Sequence, residues 1–409
     1  DEQLSVAVEG SLGELAPPNM VVITNARGDA TFTTQYTSND LDGLETLVAN
    51  VTDFRGHSDS KSVSFDVLPL TRYGEAVPGR VATYYRDGKK VHSFKQGRWD
   101  LNLRAEFMKK DGFDVQVLIP DNRPLIYECD AELGRQLARA YNDTTAEDVR
   151  GDNRFIGCAW IYLPDIGESV KELRRAVTEL GLKAVKFNGG WGDGDLDNEV
   201  LFPLYEEIAD LNIPILLHPA ARVYELQHSH PWLGGSERFQ GYQHFPSALG
   251  FPLTYMVSAS RLIFGGVLDR FPSLKFGFFE GGIGWVPWLM HTLDAHMPNE
   301  DRVSVSVQQF FEGKKAIKKM PSEYFDQLYI ACVSWESYLA DTVNGWPNHN
   351  IIIGSDFDHG DAVATWPRTV EVIKKMSNLT DADKEKVLGG NAMRLFELNG
   401  KGAADQISA

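Results

Sequence analysis

The sequence predicts an α/β protein built as a (β/α)8 TIM barrel, with an N-terminal extension and a long lid loop after the fifth strand. Three observations predict it. Short apolar runs near residues 51, 114, 155, 182, 213, 274, 329 and 351 alternate with segments of helical periodicity over roughly 300 residues. No glycine-rich phosphate turn follows the first run, as an open doubly wound sheet would normally show. Several runs end in ionisable side chains, and the carboxyl ends of barrel strands are where such folds bind ligands. The implied layout is an extension over 1–48, a barrel over 49–398 and a tail over 399–409.

In chain order, residues 20–24 and 30–34 read as strands around a turn at 25–29. The run 51–57 is taken as the first barrel strand, and an irregular stretch follows to about residue 97. Leu103, Phe107 and Met108 share a helical face that stops at Gly112. A strand is expected at 114–120, a helix at 131–141 and a strand at 155–163. Val170, Leu173, Val177 and Leu180 recur at helical spacing, and Gly181 sits where a helix ends. A strand at 182–187 follows, then a helix marked by Leu201, Leu204, Ile208 and Leu211, then a strand at 213–217. The lid spans 221–250 and is rich in aromatic residues and histidine. A helix at 253–271, a strand at 274–279 and a helix at 283–296 come next. Strands at 329–333 and 351–353 and helices at 369–376 and 384–398 complete the chain.

Composition narrows the partners. With 409 residues, 43% hydrophobic and 24% charged, the chain is long enough for one large barrel with a substantial core. A formal net charge of -17 argues against nucleic acid and against an anionic membrane surface. No apolar run reaches membrane-spanning length. Cys129, Cys158 and Cys332 are isolated, so a disulfide framework is not expected and a reducing cytoplasm is. The expected ligand is a small molecule.

Three strand ends each present a metal-capable side chain. His218 follows Ile215-Leu216-Leu217, Glu280 follows Phe278-Phe279, and Asp356 follows the β-branched run Ile351 to Ile353. The last is part of a cluster with Asp358, His359 and Asp361, which is costly to place unless it binds a metal or moves protons. A polar loop with Asp356 capping the next helix is the plainer alternative. Imidazole with carboxylates suits zinc first, with iron or manganese as the other candidates.

The stretch Gly354-Ser-Asp-Phe-Asp-His-Gly-Asp361 resembles the Gly-Ser-Asp-Phe/Tyr-Pro-His signature of the amidohydrolase superfamily, in its amidohydrolase-related branch. That branch includes aminocarboxymuconate semialdehyde decarboxylase and the resorcylate-type decarboxylases. Ile215-Leu-Leu-His-Pro219, Gly265-Gly-Val-Leu-Asp-Arg-Phe-Pro-Ser-Leu-Lys275, Glu280-Gly-Gly-Ile-Gly-Trp285 and Gly390-Asn-Ala-Met-Arg-Leu-Phe396 are similar to the same branch. The resemblance implies one divalent metal and a homodimer or larger homo-oligomer. It implies that His218 is a ligand, that Asp356 is a ligand and proton-transfer carboxylate, and that His359 lies beside the substrate. Glu280 stands where many members have histidine.

The first strand departs from the family pattern, which expects His-x-His or a carboxylate before x-His. Asp53, Arg55 and His57 offer two registers, and Asp66 is a third candidate. With His57 as the ligand, Arg55 replaces the other one; its guanidinium cannot bind metal but can grip a substrate carboxylate. Lys186, Trp191, His244 and Trp285 are the expected substrate-binding residues. The expected reaction is metal-assisted hydrolysis of a small carboxylated or cyclic substrate, with Asp356 as general base. Non-oxidative decarboxylation of an aromatic acid is the alternative. Iron-dependent oxidation or a non-catalytic barrel comes third.

Overall fold

In the computed structural model the backbone up to residue 95 is described as eight strands. The residues described beyond them are 95–121, 126–128, 130–188, 195–219, 245–297, 317–334, 336–357 and 365–398. The early strands are β1 (Gln3–Glu9), β2 (Gly13–Ala16), β3 (Asn19–Ile23), β4 (Gln35–Ser38), β5 (Gly43–Asp53), β6 (Ser58–Val67), β7 (Val81–Arg86) and β8 (Lys89–Lys95). They form antiparallel sheets, the largest in the order β3-β1-β5-β6.

This corrects the expected first barrel strand. Val51 belongs to β5, opposite Val6 of β1 and Asp59 of β6. Asp53 pairs with Leu4, and Asp66 pairs with Leu44 of β5, so neither stands in the barrel sheet. Neighbouring antiparallel strands close through a short turn at small entropic cost. A barrel strand needs parallel neighbours reached by long crossovers. Arg55 and His57 lie outside the described residues.

The barrel sheet has seven described strands, all parallel and paired in chain order. They are β9 (Gln116–Leu118), β10 (Phe155–Ala159), β11 (Ala184–Phe187), β12 (Ile215–Leu217), β13 (Phe276–Phe278), β14 (Leu328–Cys332) and β15 (Ile351–Ile353). Each lies inside a run expected from the sequence, save that β14 begins one residue earlier. Helices α1 (Leu101–Asp111), α2 (Ala131–Val149), α3 (Ile166–Thr178) and α4 (Phe202–Leu211) precede or cross over between them. In-order parallel strands joined by helices are the α/β barrel topology.

Capping carboxylates set the helix starts. Asp100 accepts from the Leu103 amide at 3.0 Å to begin α1, and Asp130 and Asp165 do the same for α2 and α3. The helix expected at 253–271 is broken in two, α5 (Phe251–Phe264) and α6 (Val267–Arg270), because Gly266 turns left-handed at φ 73°. The described end of the expected lid, residues 245–250, is already helical and runs into α5. A further helix, α7 (Trp285–Ala295), follows β13.

Strand alternation divides the core. Cys158, Ala184, Leu216, Tyr329, Ala331 and Ile352 pack inside the curl of the sheet. Val185, Phe187, Ile215, Leu217, Phe276 and Phe278 pack against the helices outside. Burial on both faces explains why the strands read as unbroken apolar runs. Cys158 and Cys332 are buried free thiols. Among the described residues no helix is long and apolar enough to cross a membrane.

Asn391 is one of the side chains that fasten the C-terminal helices to the last strand. The fully buried Asn391 amide donates to Ile351 O at 2.7 Å and to His349 O at 3.1 Å. Asn391→Leu would leave both carbonyls without that partner. It is expected to cost ~1–3 kcal/mol, read as a lower urea midpoint at unchanged slope.

Candidate active site

Two of the expected residues meet on the rim. His218 directly follows β12, and Glu280 comes two residues after β13. Their Nε2 and Oε2 atoms are 3.2 Å apart, with about a fifth of each side chain exposed. The other imidazole nitrogen, Nδ1, is 3.0 Å from the Pro219 carbonyl oxygen. A carbonyl only accepts, so Nδ1 carries a proton and donates. In the neutral ring, Nε2 then points a lone pair at a carboxylate oxygen. That arrangement needs a cation between the two atoms, either a proton or a metal ion.

The separation fits a metal. Donors at ~2.1 Å from one ion stand about 3.0 to 3.4 Å apart in octahedral or tetrahedral geometry. A backbone carbonyl fixing the far ring nitrogen is the usual support of a metal-binding histidine. The residues present therefore suit one divalent ion held by His218 and Glu280.

Glu280 reaches this position through an uncommon backbone. Phe279 packs on the inner cluster, so simple alternation would send the next side chain outward. Instead Glu280 adopts φ 65°, and the left-handed turn brings its carboxylate to His218. Asp356 is likewise left-handed, at φ 43°, three residues past β15. Two such residues at strand ends mark the rim as a place where conformation is held against local preference.

Asp356 shares the rim with the pair, but no group of three or more metal-capable side chains comes together among the described residues. His57, Arg55, Trp191, His244 and His359 lie outside them. Trp285 is buried in the outer core, and its indole N–H donates to Gly282 O at 2.9 Å. It braces the turn after Glu280.

Lys186 lies on β11, in register with Leu216, and points to the inner side. Only 1% of it is exposed, and its Nζ sits 5.2 Å from the centre of the Trp160 ring. Burial pulls its pKa from 10.5 to about 7, against the opposing charge of Asp121.

Two residues near the pair carry no motif that sequence reading would single out. Tyr255, on the apolar face of α5, is fully buried, and its hydroxyl lies 2.8 Å from Leu217 O and within hydrogen-bond reach of Phe279 O. Glu336, 2% exposed, accepts from the Ile283 amide at 3.1 Å and the Val333 amide at 2.9 Å. The one hint in the sequence is Gly281-Gly282, a pair that signals close backbone approach.

The sequence pattern of the amidohydrolase family matches residues 91–398. The 2-amino-3-carboxymuconate-6-semialdehyde decarboxylase of Dictyostelium discoideum is 27% identical over 315 residues, covering 76% of this chain and 81% of that protein. The crystal structure of 5-carboxyvanillate decarboxylase from Sphingomonas paucimobilis superimposes with a TM-score of 0.57 at 25% identity, covering 72% of this chain and 82% of that one. The 5-carboxyvanillate decarboxylase of Novosphingobium aromaticivorans, solved with manganese and 4-hydroxy-3-methoxy-5-nitrobenzoic acid, gives 0.58 at 23% identity, covering 72% of this chain and 79% of that one. The last is a likeness of fold.

Proposed function

This chain is an enzyme of the amidohydrolase family, and we propose that it is a metal-dependent carboxy-lyase that removes carbon dioxide from a small aromatic acid. The observation that carries this is the His218–Glu280 pair, whose facing Nε2 and Oε2 atoms need a shared cation. The decarboxylases among its relatives favour this reaction over the hydrolysis expected from the sequence.

His218 and Glu280 would hold the ion; zinc, iron(II) and manganese(II) all suit a nitrogen and a carboxylate oxygen. When bound, such an ion polarises a substrate oxygen as a Lewis acid. Asp356 is the proton carrier. Its carboxyl group gives a proton to the ring carbon that bears the substrate carboxylate. The bond between that carbon and the carboxylate then breaks, its electron pair returns to the ring, and carbon dioxide leaves. The Asp356 carboxylate regains a proton from solvent. Lys186, one strand from His218 and held near pKa 7 by burial, takes up a proton on the inner wall when an acidic substrate binds beside it. His359 beside the ring, Arg55 as a carboxylate clamp, and Trp191 and His244 as walls complete the proposal.

A panel of carboxyl-labelled hydroxybenzoates, incubated with metal-loaded enzyme in deuterated water, tests it. The expected result is labelled carbon dioxide from at least one member, with deuterium at the vacated ring carbon. Hydrolysis of amides or lactones without release from any aromatic acid would return the assignment to hydrolase.

A further inference from the structure

We propose that Tyr255 and Glu336 are positioning residues that hold the Glu280 turn from both sides and so set the His218–Glu280 separation that admits one divalent cation. The inference rests on the metal reading above.

Glu280 and Gly282 both sit at φ 65°, so the turn from 279 to 283 is not one that Glu280 would adopt on its own. It is anchored immediately before and after. On the upstream side, the Tyr255 hydroxyl lies between Leu217 O and Phe279 O, the carbonyls just before His218 and Glu280. The phenolic proton is offered to both strand ends that present the pair, beside the Phe279 N–H bond to Leu217 O at 3.0 Å. The Tyr255 ring also packs where Gly281 has no side chain, since a Cβ there would lie 2.2 Å from the ring. On the downstream side, one Glu336 oxygen accepts from Ile283 N–H and the other from Val333 N–H, fastening the turn to the end of β14.

Neither group is needed for packing alone. A phenylalanine would fill the Tyr255 space, and an apolar side chain would avoid burying the Glu336 carboxylate. Burial pushes the Glu336 carboxyl up, opposed by bonds from Val333, Ile283 and the Tyr338 hydroxyl. What the two hydrogen-bonding groups add is a fixed path for the backbone between Phe279 and Ile283.

Tyr255→Phe removes one oxygen, and Glu336→Gln keeps the size while replacing an acceptor with a donor. Mn²⁺ alone is titrated into the chelator-stripped full chain, and free Mn²⁺ is counted by electron paramagnetic resonance. Each variant is expected to bind ~10–100-fold more weakly than wild type. In a Glu280→Gln background, neither change should weaken binding further. Unchanged Mn²⁺ affinity with a lower thermal midpoint would make both residues merely structural, and equal weakening in the Glu280→Gln background would show that they act elsewhere. A wild-type chain that takes up neither Mn²⁺ nor Zn²⁺ nor Fe²⁺ sinks the metal reading itself, and the inference with it, and is a separate result.

Discussion

His218→Ala is expected to abolish metal retention, lowering bound divalent ion from about one equivalent to near zero and turnover by at least ~100-fold. The change deletes Nε2, the atom that faces Glu280 at 3.2 Å, and leaves that carboxylate without its neighbour on the rim. It also removes the Nδ1–H bond to Pro219 O, while the backbone bond from His218 N to Phe187 O still holds the end of β12. Metal content by plasma mass spectrometry and turnover on the labelled acids are the two readouts. A variant that keeps its ion and its rate would take His218 out of the site.

The second large effect concerns pH. Lys186 has a folded-state value of about 7 against an ordinary 10.5, chiefly because it is buried. Between these values the unfolded chain binds a proton that the folded chain does not. Stability from this group is therefore complete above about pH 10.5, and is lost as pH falls toward and through 7. The span amounts to a few kcal/mol at most, at ~1.4 kcal/mol per pKa unit. Urea melts at several pH values between 6.5 and 10.5 should show unfolding free energy rising with pH in the wild type. In Lys186→Met the rise should be flatter by that amount. Parallel curves for the two proteins would show that Lys186 titrates normally.

The sequence made the barrel legible because its strands are buried twice over. Val185 and Phe187 face helices while Ala184 and Lys186 face inward, so one apolar run marks one strand. His218 and Glu280 were legible because an ionisable side chain that closes such a run loses hydration there, a cost that a bound ion or substrate offsets. The run at 51–53 misled because a β-branched stretch announces a strand without naming its sheet. It found a partner in the next hairpin arm, Ser58–Val67. The break at Gly265-Gly266 was written in the chain, but apolar periodicity on either side masked it. Tyr255 was not legible, since its partner carbonyl Leu217 O lies 38 residues away and a backbone oxygen leaves no trace in residue identity. The choice between hydrolysis and carbon dioxide release was not legible either, because the same rim groups serve both.

The left-handed backbone at Glu280 and Asp356 sets two demands against each other. Glycine would occupy either position at ease, and asparagine nearly so. A library sorted only for folded yield would drift toward those residues, gaining up to ~1 kcal/mol at each and discarding both carboxylates. If both carboxylates serve as proposed, heat tolerance and turnover select in opposite directions at 280 and 356, and a consensus built from the hardiest survivors would describe a sturdier protein with nothing left to do.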